Sequence, residues 1–167
     1  LFSHIIGQID NDNNGISGLE KSFDYELRSS KENLKLTVDK ELQYLIREEL
    51  LKAEDIFKNV GSAAILMNIH NGEILSMISL PDFDLNKRKN LADFKYINRA
   101  TKGVYELGSV FKTFTLAAGI NYDVVSPETE FTNLKKKITC NKNTIEEYDK
   151  KIPSDLTAEQ ILIRSGN

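Results

Sequence analysis

The chain has 167 residues, 40% hydrophobic and 28% charged, ordinary proportions for a globular chain with a modest core. A formal net charge of −3 and a pI near 5.5 provide no broad positive field, and the short run Lys135-Lys136-Lys137 does not reverse that, so nucleic acid is set aside as a partner. The apolar stretches, Ile74 to Leu80 among them, fall far short of the ~20 residues of a membrane span, and the lone Cys140 excludes an internal disulfide.

Residues 1 to 35 are rich in Asn, Asp, Gly and Ser, which predicts irregular, hairpin-like structure with a polar turn across Asp10 to Gly18. From Asp39 onward Leu42, Leu45, Ile46, Leu50, Ala53, Ile56 and Phe57 recur at spacings of three and four. That pattern predicts an amphipathic helix capped by Asp39. Ser62 to Ile69 and Glu73 to Ser79 are β-rich runs joined across Asn71-Gly72, the sequence preferred by a two-residue type I′ turn. After Pro81 a polar, irregular segment runs to about Tyr105. Ser109 to Ile120 is then helical in character, with Phe111, Phe114, Thr115 and Ala118 on a shared face. Residues 121 to 156 are expected to be a long charged connection with short hairpin pieces. Thr157 and Gln160 form a capping box ahead of a short helix with Ile161 and Leu162 inward. A helix followed by a hairpin and further helices predicts an α+β fold.

Ser109 and Lys112 stand one turn apart at a helix start, where an amine can take the proton of a hydroxyl. A serine is a weak nucleophile without a base, and a lysine serves as one only where its surroundings favour the neutral amine. The helix start adds a field favourable to negative charge, and the Ser109 backbone N–H can donate to an oxyanion. Alone, an S-x-x-K match is a weak signal, because one is expected by chance in a chain rich in Ser and Lys.

The surroundings of the motif carry more. Asn98-Arg99-Ala100 and Tyr105-Glu106-Leu107-Gly108-Ser109-Val110-Phe111-Lys112-Thr113-Phe114 resemble the nucleophile segment of class B penicillin-binding proteins. Thr37-Val38-Asp39 with Leu42-Gln43 resembles the opening of that family's transpeptidase domain, and Gly72 to Met77 with Ser79-Leu80-Pro81 and Asn86 its first strand pair. Gly15-Ile16-Ser17-Gly18-Leu19-Glu20 with Tyr25 and Leu27 resembles the end of its non-catalytic pedestal. The resemblance implies a peptidoglycan D,D-transpeptidase of the septal, cell-division type. Residues 1 to 35 would then be a pedestal remnant and residues 36 to 167 an incomplete transpeptidase domain. Ser109 would be the nucleophile and Lys112 its base. The S-x-N motif falls on Ser165 and Asn167, with Ser165 relaying a proton and Asn167 holding the substrate amide and the lysine. Gly166 stands where the family most often has serine or aspartate, implying a less constrained loop, and Leu107 replaces a frequent proline.

The implied partners are the D-Ala-D-Ala stem peptide, β-lactam antibiotics and cell-division membrane proteins. No cofactor or metal is implied. The implied location is the inner membrane, with a periplasmic catalytic domain and an anchor upstream of Leu1. Both ends of the chain read as cuts inside a longer protein, and the family's K-T-G motif is absent from these residues. Residues 1 to 167 alone are therefore expected to be catalytically silent, with the hairpin at 62 to 79 left with an open edge. A class D β-lactamase or β-lactam sensor domain, and a truncated non-catalytic product, stand as alternatives. His70, Cys140, Phe83, Phe94, Tyr96 and Glu106 are read as structural, while Tyr105 could border the cleft.

Overall fold

A computed structural model describes residues 1–87 and 93–167 and divides the chain into two compact units, Leu1–Val104 and Tyr105–Asn167. The part of the polar segment after Pro81 that covers 88–92 lies outside the described residues. Helices and strands are mixed throughout, an α+β arrangement, and the strand pairs among the described residues are antiparallel.

The first unit opens with α1 (Ser3–Ile6), the short hairpin β1 (Gln8–Ile9) and β2 (Gly15–Ser17), then α2 (Gly18–Ser22) and α3 (Asp24–Ser29). The hairpin expected from composition is present, but helices flank it. Asp10 turns the connection by accepting the backbone N–H groups of Asp12 and Asn14 at 2.9 and 2.8 Å. The long helix α4 (Lys40–Phe57) starts where expected, with Asp39 accepting from the N–H groups of Glu41 and Leu42.

The face that α4 buries differs from the apolar count. Gln43 is 1% exposed, whereas Leu45 is 57% and Phe57 75% exposed. The cause lies in the hairpin of β3 (Ser62–Met67) and β4 (Ile74–Leu80), in which Ser62 opposes Leu80 and Ile65 opposes Met77. The outer edge of β4 is met by polar groups instead of by a third strand. Thr37 Oγ1 donates to Ile74 O at 2.7 Å and Asp39 N–H to Leu75 O at 2.8 Å. Gln43 pairs with Met77 as a strand residue would, giving Nε2 to its carbonyl at 2.8 Å and taking its N–H at 2.9 Å. On the β3 side at the strand's end, Arg99 Nε donates to Leu80 O at 2.8 Å. A helix whose side-chain amide completes a strand ladder must turn that amide inward; Leu42, Ile46, Leu50 and Ala53 are half-buried with it, while Leu45, Ile56 and Phe57 of the apolar pattern are exposed. Buried Ser76 donates to Gln43 Oε1 at 2.8 Å, so this polar core is satisfied around Ile78 and Leu80.

The turn at Asn71-Gly72 also differs from expectation. A type I′ turn needs positive φ at both central residues, but here Gly72 alone of the two has it, at φ 76°. The loop is longer: Gly72 N–H donates to Asn68 O at 2.8 Å, and Asn68 N–H to Glu73 O at 2.9 Å. A bulge follows between Leu66 and Met67. On β3, Ile65 and Met67 are exposed.

An ion pair and a histidine make this unit acid-sensitive. Arg47 Nε and Nη2 grip Asp82 at 2.8 and 3.3 Å. Burial of Asp82 opposes its charge, but the Arg47 hydrogen bonds and charge outweigh it and hold the carboxyl below its ordinary value. Burial likewise pushes His4 below its ordinary value, partly offset by its bond to Lys95 O at 2.7 Å. Both groups have depressed folded values, so both stabilise the fold above their unfolded pKa and lose that contribution as pH falls. Urea unfolding from about pH 8 to about pH 3 should show stability declining first below ~6.5, through His4, and again below ~3.9, through Asp82. Asp82→Asn should shrink the lower step, which Asp10, Asp84 and Asp93 share because they too are held below their ordinary values, and an unchanged lower step would assign it to them.

The second unit holds α5's successor in the chain, α6 (Lys112–Asn121), where α5 (Arg99–Lys102) closes the first unit. It continues with β5 (Glu130–Phe131), the hairpin β6 (Lys137–Cys140) and β7 (Asn143–Glu146), β8 (Leu156–Thr157) and α7 (Ala158–Ile163). Pairing of β5 with β8 brings the long connection back, and Ile152, Leu156 and Ala158 are buried. No helix among the described residues is long and apolar enough to cross a membrane.

Candidate active site

The polypeptide reaches Ser109 through a 3₁₀ turn, Gly108–Phe111, and α6 begins only at Lys112. The single helix expected over 109 to 120 is thus two elements. Residues three apart eclipse one another in a 3₁₀ turn, so positions 109 and 112 lie on one side of the backbone. Gly108 sits at φ 55°, the left-handed region a side chain resists, and Val110 N–H closes the turn on Leu107 O at 3.2 Å. Phe111, Phe114, Thr115 and Ala118, expected on a shared face, are exposed, the two phenylalanines with ring centroids 5.7 Å apart, and Lys112, Leu116 and Gly119 are the half-buried positions of α6.

Ser165 is positioned by a different device. At its start α7 carries the expected capping box, Thr157 N–H donating to Gln160 Oε1 at 3.0 Å and Gln160 N–H to Thr157 Oγ1 at 3.3 Å. At its end Ser165 N–H donates to Leu162 O at 3.0 Å and Gly166 N–H to Ile161 O at 2.8 Å. These two bonds define a Schellman turn, whose left-handed position is usually glycine. Here that position is Ser165, at φ 54°.

The Lys112 amine meets this turn. It donates to Ser165 O at 2.6 Å and lies 3.4 Å from Ser165 Oγ, while Ser109 is exposed one turn ahead of it. Two of the four expected site residues are thus directly bonded across 53 positions of sequence, while Ser109 is three residues from Lys112 in the chain. Asn167 is held elsewhere: Nδ2 donates to Glu146 O at 2.9 Å and its backbone N–H to Glu147 Oε1 at 2.8 Å. The amide therefore engages the end of β7 and not Lys112. Lys150 hydrogen-bonds the Glu146 carboxylate and holds it below its ordinary range.

Gly166 departs from the expectation of a loose loop. It is buried, and a Cβ there would come within 3.2 Å of both Ile152 Cδ1 and Ile161 Cγ2. Beside it opens an apolar hollow of ≈ 330 Å³ lined by Leu116, Val125, Phe131, Ile161 and Leu162, with Lys112 and Asn167 also on its wall. Among the described residues no cluster of His, Cys, Asp and Glu is placed to hold a metal ion.

The turn at Ser165 yields a stability test. Ser165→Gly should relieve the left-handed strain and raise stability by up to ~1 kcal/mol. Thermal melts check this, and a destabilised variant would contradict the strain.

Comparison with known proteins adds the following. Residues 62–167 match the family described as penicillin binding protein transpeptidase domain. A probable peptidoglycan D,D-transpeptidase FtsI of Caulobacter vibrioides is 34% identical over 150 residues, 87% of this chain and 25% of the relative. Stage V sporulation protein D of Bacillus subtilis is 33% identical, over 75% of this chain and 24% of the relative. The peptidoglycan D,D-transpeptidase FtsI of Escherichia coli K12 is 27% identical over the whole chain and 32% of the relative. The chain thus spans 24–32% of the length of these curated relatives. Among solved structures, penicillin binding protein 3 of Mycobacterium tuberculosis superposes with a TM-score of 0.72 at 24% identity, over 89% of this chain and 35% of that one. The transpeptidase domain of Burkholderia pseudomallei penicillin-binding protein 3 gives 0.62 at 23% identity, over 78% of this chain and 34% of that one. At these identities the likeness concerns the fold.

Proposed function

The chain belongs to the penicillin-binding protein transpeptidase domain family, and on that premise we propose that the intact protein is an acyl-serine D,D-transpeptidase cross-linking peptidoglycan stem peptides. The observation that carries the reading is the Lys112 amine bonded to Ser165, with Ser109 one turn ahead. In the reaction Ser109 Oγ attacks the carbonyl of the penultimate D-alanine of a D-Ala-D-Ala terminus, and its proton passes to the Lys112 amine. The tetrahedral oxyanion takes a hydrogen bond from the Ser109 backbone N–H. Collapse breaks the peptide bond, and the departing D-alanine amine takes a proton through Ser165. An amine from a neighbouring stem peptide then attacks the acyl-serine, losing a proton by the same route, and Ser109 is released. Asn167 holds the peptide backbone of the substrate. A β-lactam enters the first half of this sequence, its ring amide opening to leave Ser109 acylated.

By the same family reading, residues 1 to 35 are the end of a pedestal domain and residues 36 to 167 the first part of the transpeptidase domain. The relatives' names support a role in septal wall synthesis, which would place the catalytic domain outside the inner membrane beside cell-division membrane proteins. The test is to incubate the intact protein with a fluorescent penicillin, digest it, and locate the adduct by mass spectrometry. The expected label is on the peptide carrying Ser109, and a label on any other serine would refute the assignment.

A further inference from the structure

Ser165 and Asn167 are neighbours in sequence yet are held by unrelated means. The Schellman turn of α7 sets Ser165, but it ends at Gly166, whose N–H makes its last bond. Beyond that point the backbone needs another anchor, and it finds one in the strand exit after β7. Glu147 Oε1 takes the Asn167 N–H at 2.8 Å, while the carbonyl of the preceding residue, Glu146, takes the Asn167 side-chain amide at 2.9 Å. Glu147 is itself fixed: its N–H donates to Lys136 O at 2.9 Å, prolonging the β6–β7 ladder beyond the Lys137–Glu146 pair. The acceptor is thus mounted on a hydrogen-bonded hairpin, and a carboxylate accepting from a backbone N–H is among the stronger hydrogen bonds available.

Two consecutive residues of one hairpin therefore determine where the backbone and the side chain of Asn167 stand. We infer that Glu147 is a positioning residue for acylation, acting through Asn167 by fixing its backbone N–H so that the amide is presented at a set distance from the Ser165 turn. This rests on the reading of Ser109, Lys112, Ser165 and Asn167 as the acylation site. Glu147 touches neither the reacting atoms nor Lys112. Its contribution is orientation, where a displacement of about 1 Å costs up to ~10²-fold in rate.

The experiment uses the intact protein and a fluorescent penicillin, with acylation rates and melting temperatures read for each variant. Glu147→Met keeps the length of the side chain and removes the acceptor, and should slow acylation about 10- to 100-fold. Glu147→Gln keeps an acceptor oxygen without the charge, and should return the rate to within a few-fold of the parent. On an Asn167→Ala background Glu147→Met should add less than about twofold, because the residue it positions has lost its amide. A merely structural role would instead give Gln and Met variants of equal rate, or losses that multiply in the double variant, and either result overturns the inference. A parent protein acylated at Ser109 together with multiplying losses sinks the role of Glu147 alone. A parent that forms no Ser109 adduct sinks both this role and the reading of the site.

Discussion

Ser109→Ala in the intact protein will abolish the penicillin adduct, a loss of at least ~10⁴-fold in acylation. No other serine in the chain is followed at three residues by a lysine whose amine is already bonded into a second motif. The companion variant is Lys112→Arg, which keeps a cation of similar reach but cannot give up its proton. It should slow acylation by about 10² to 10⁴-fold, the range that a positioned base supplies. The amine's shorter bond is to the Ser165 carbonyl, so an arginine can keep this tether to the turn while failing as a base. Stability near that of the parent, together with a collapsed acylation rate, is the expected pair of results. Normal acylation in Lys112→Arg would require another base.

The largest effect on stability is expected at Gln43. Its amide makes four bonds: Nε2 to the carbonyls of Met77 and Leu1 at 2.8 and 3.1 Å, and Oε1 from Met77 N–H and Ser76 Oγ at 2.9 and 2.8 Å. Gln43→Leu would preserve volume and leave the Met77 N–H and carbonyl without partners in a buried setting. Each unmet group costs roughly 1–3 kcal/mol, so a loss of about 3 kcal/mol or more is expected, a large share of the stability of an ordinary domain. Gln43→Glu should also be damaging, since a carboxylate cannot donate to the Met77 carbonyl. Urea titration decides the point. A Leu variant as stable as the parent would mean that water or a shifted strand takes over the bonds.

The parts of the structure readable in advance are those coded by neighbours in sequence. Asp39 caps the N–H groups two and three residues ahead, and Thr157 with Gln160 forms its box within one turn, so both follow from local chemistry. The strand runs flanking Asn71-Gly72 were legible for the same reason, but their turn was not. A hairpin's loop length depends on the register of the strands, and a bulge at Leu66 and Met67 altered it. Apolar periodicity found the half-buried Leu42, Ile46, Leu50 and Ala53 of α4 but missed Gln43, its most buried residue, because a hydropathy pattern assigns a glutamine that completes the β4 edge no inward pull. Ser109, Lys112, Ser165 and Asn167 could be named from motif spacing and family resemblance. Glu147 could not be, because its contact with Asn167 spans 20 residues and depends on where a two-stranded hairpin folds back.

The turn that ends α7 has a bearing on how the site can fail. Its geometry is written in the ten residues from Thr157 to Gly166, bonded to one another at both ends, so the disposition of the Ser165 backbone and hydroxyl is an internal property of that segment. A helix of six residues has little stability of its own, and such a segment opens and closes as a whole. Distant lesions in the second unit will therefore not bend the serine turn by degrees. They will change the fraction of time during which an undistorted turn is docked on the Lys112 amine, and the defect will register as a smaller population of competent molecules with an unaltered rate in each.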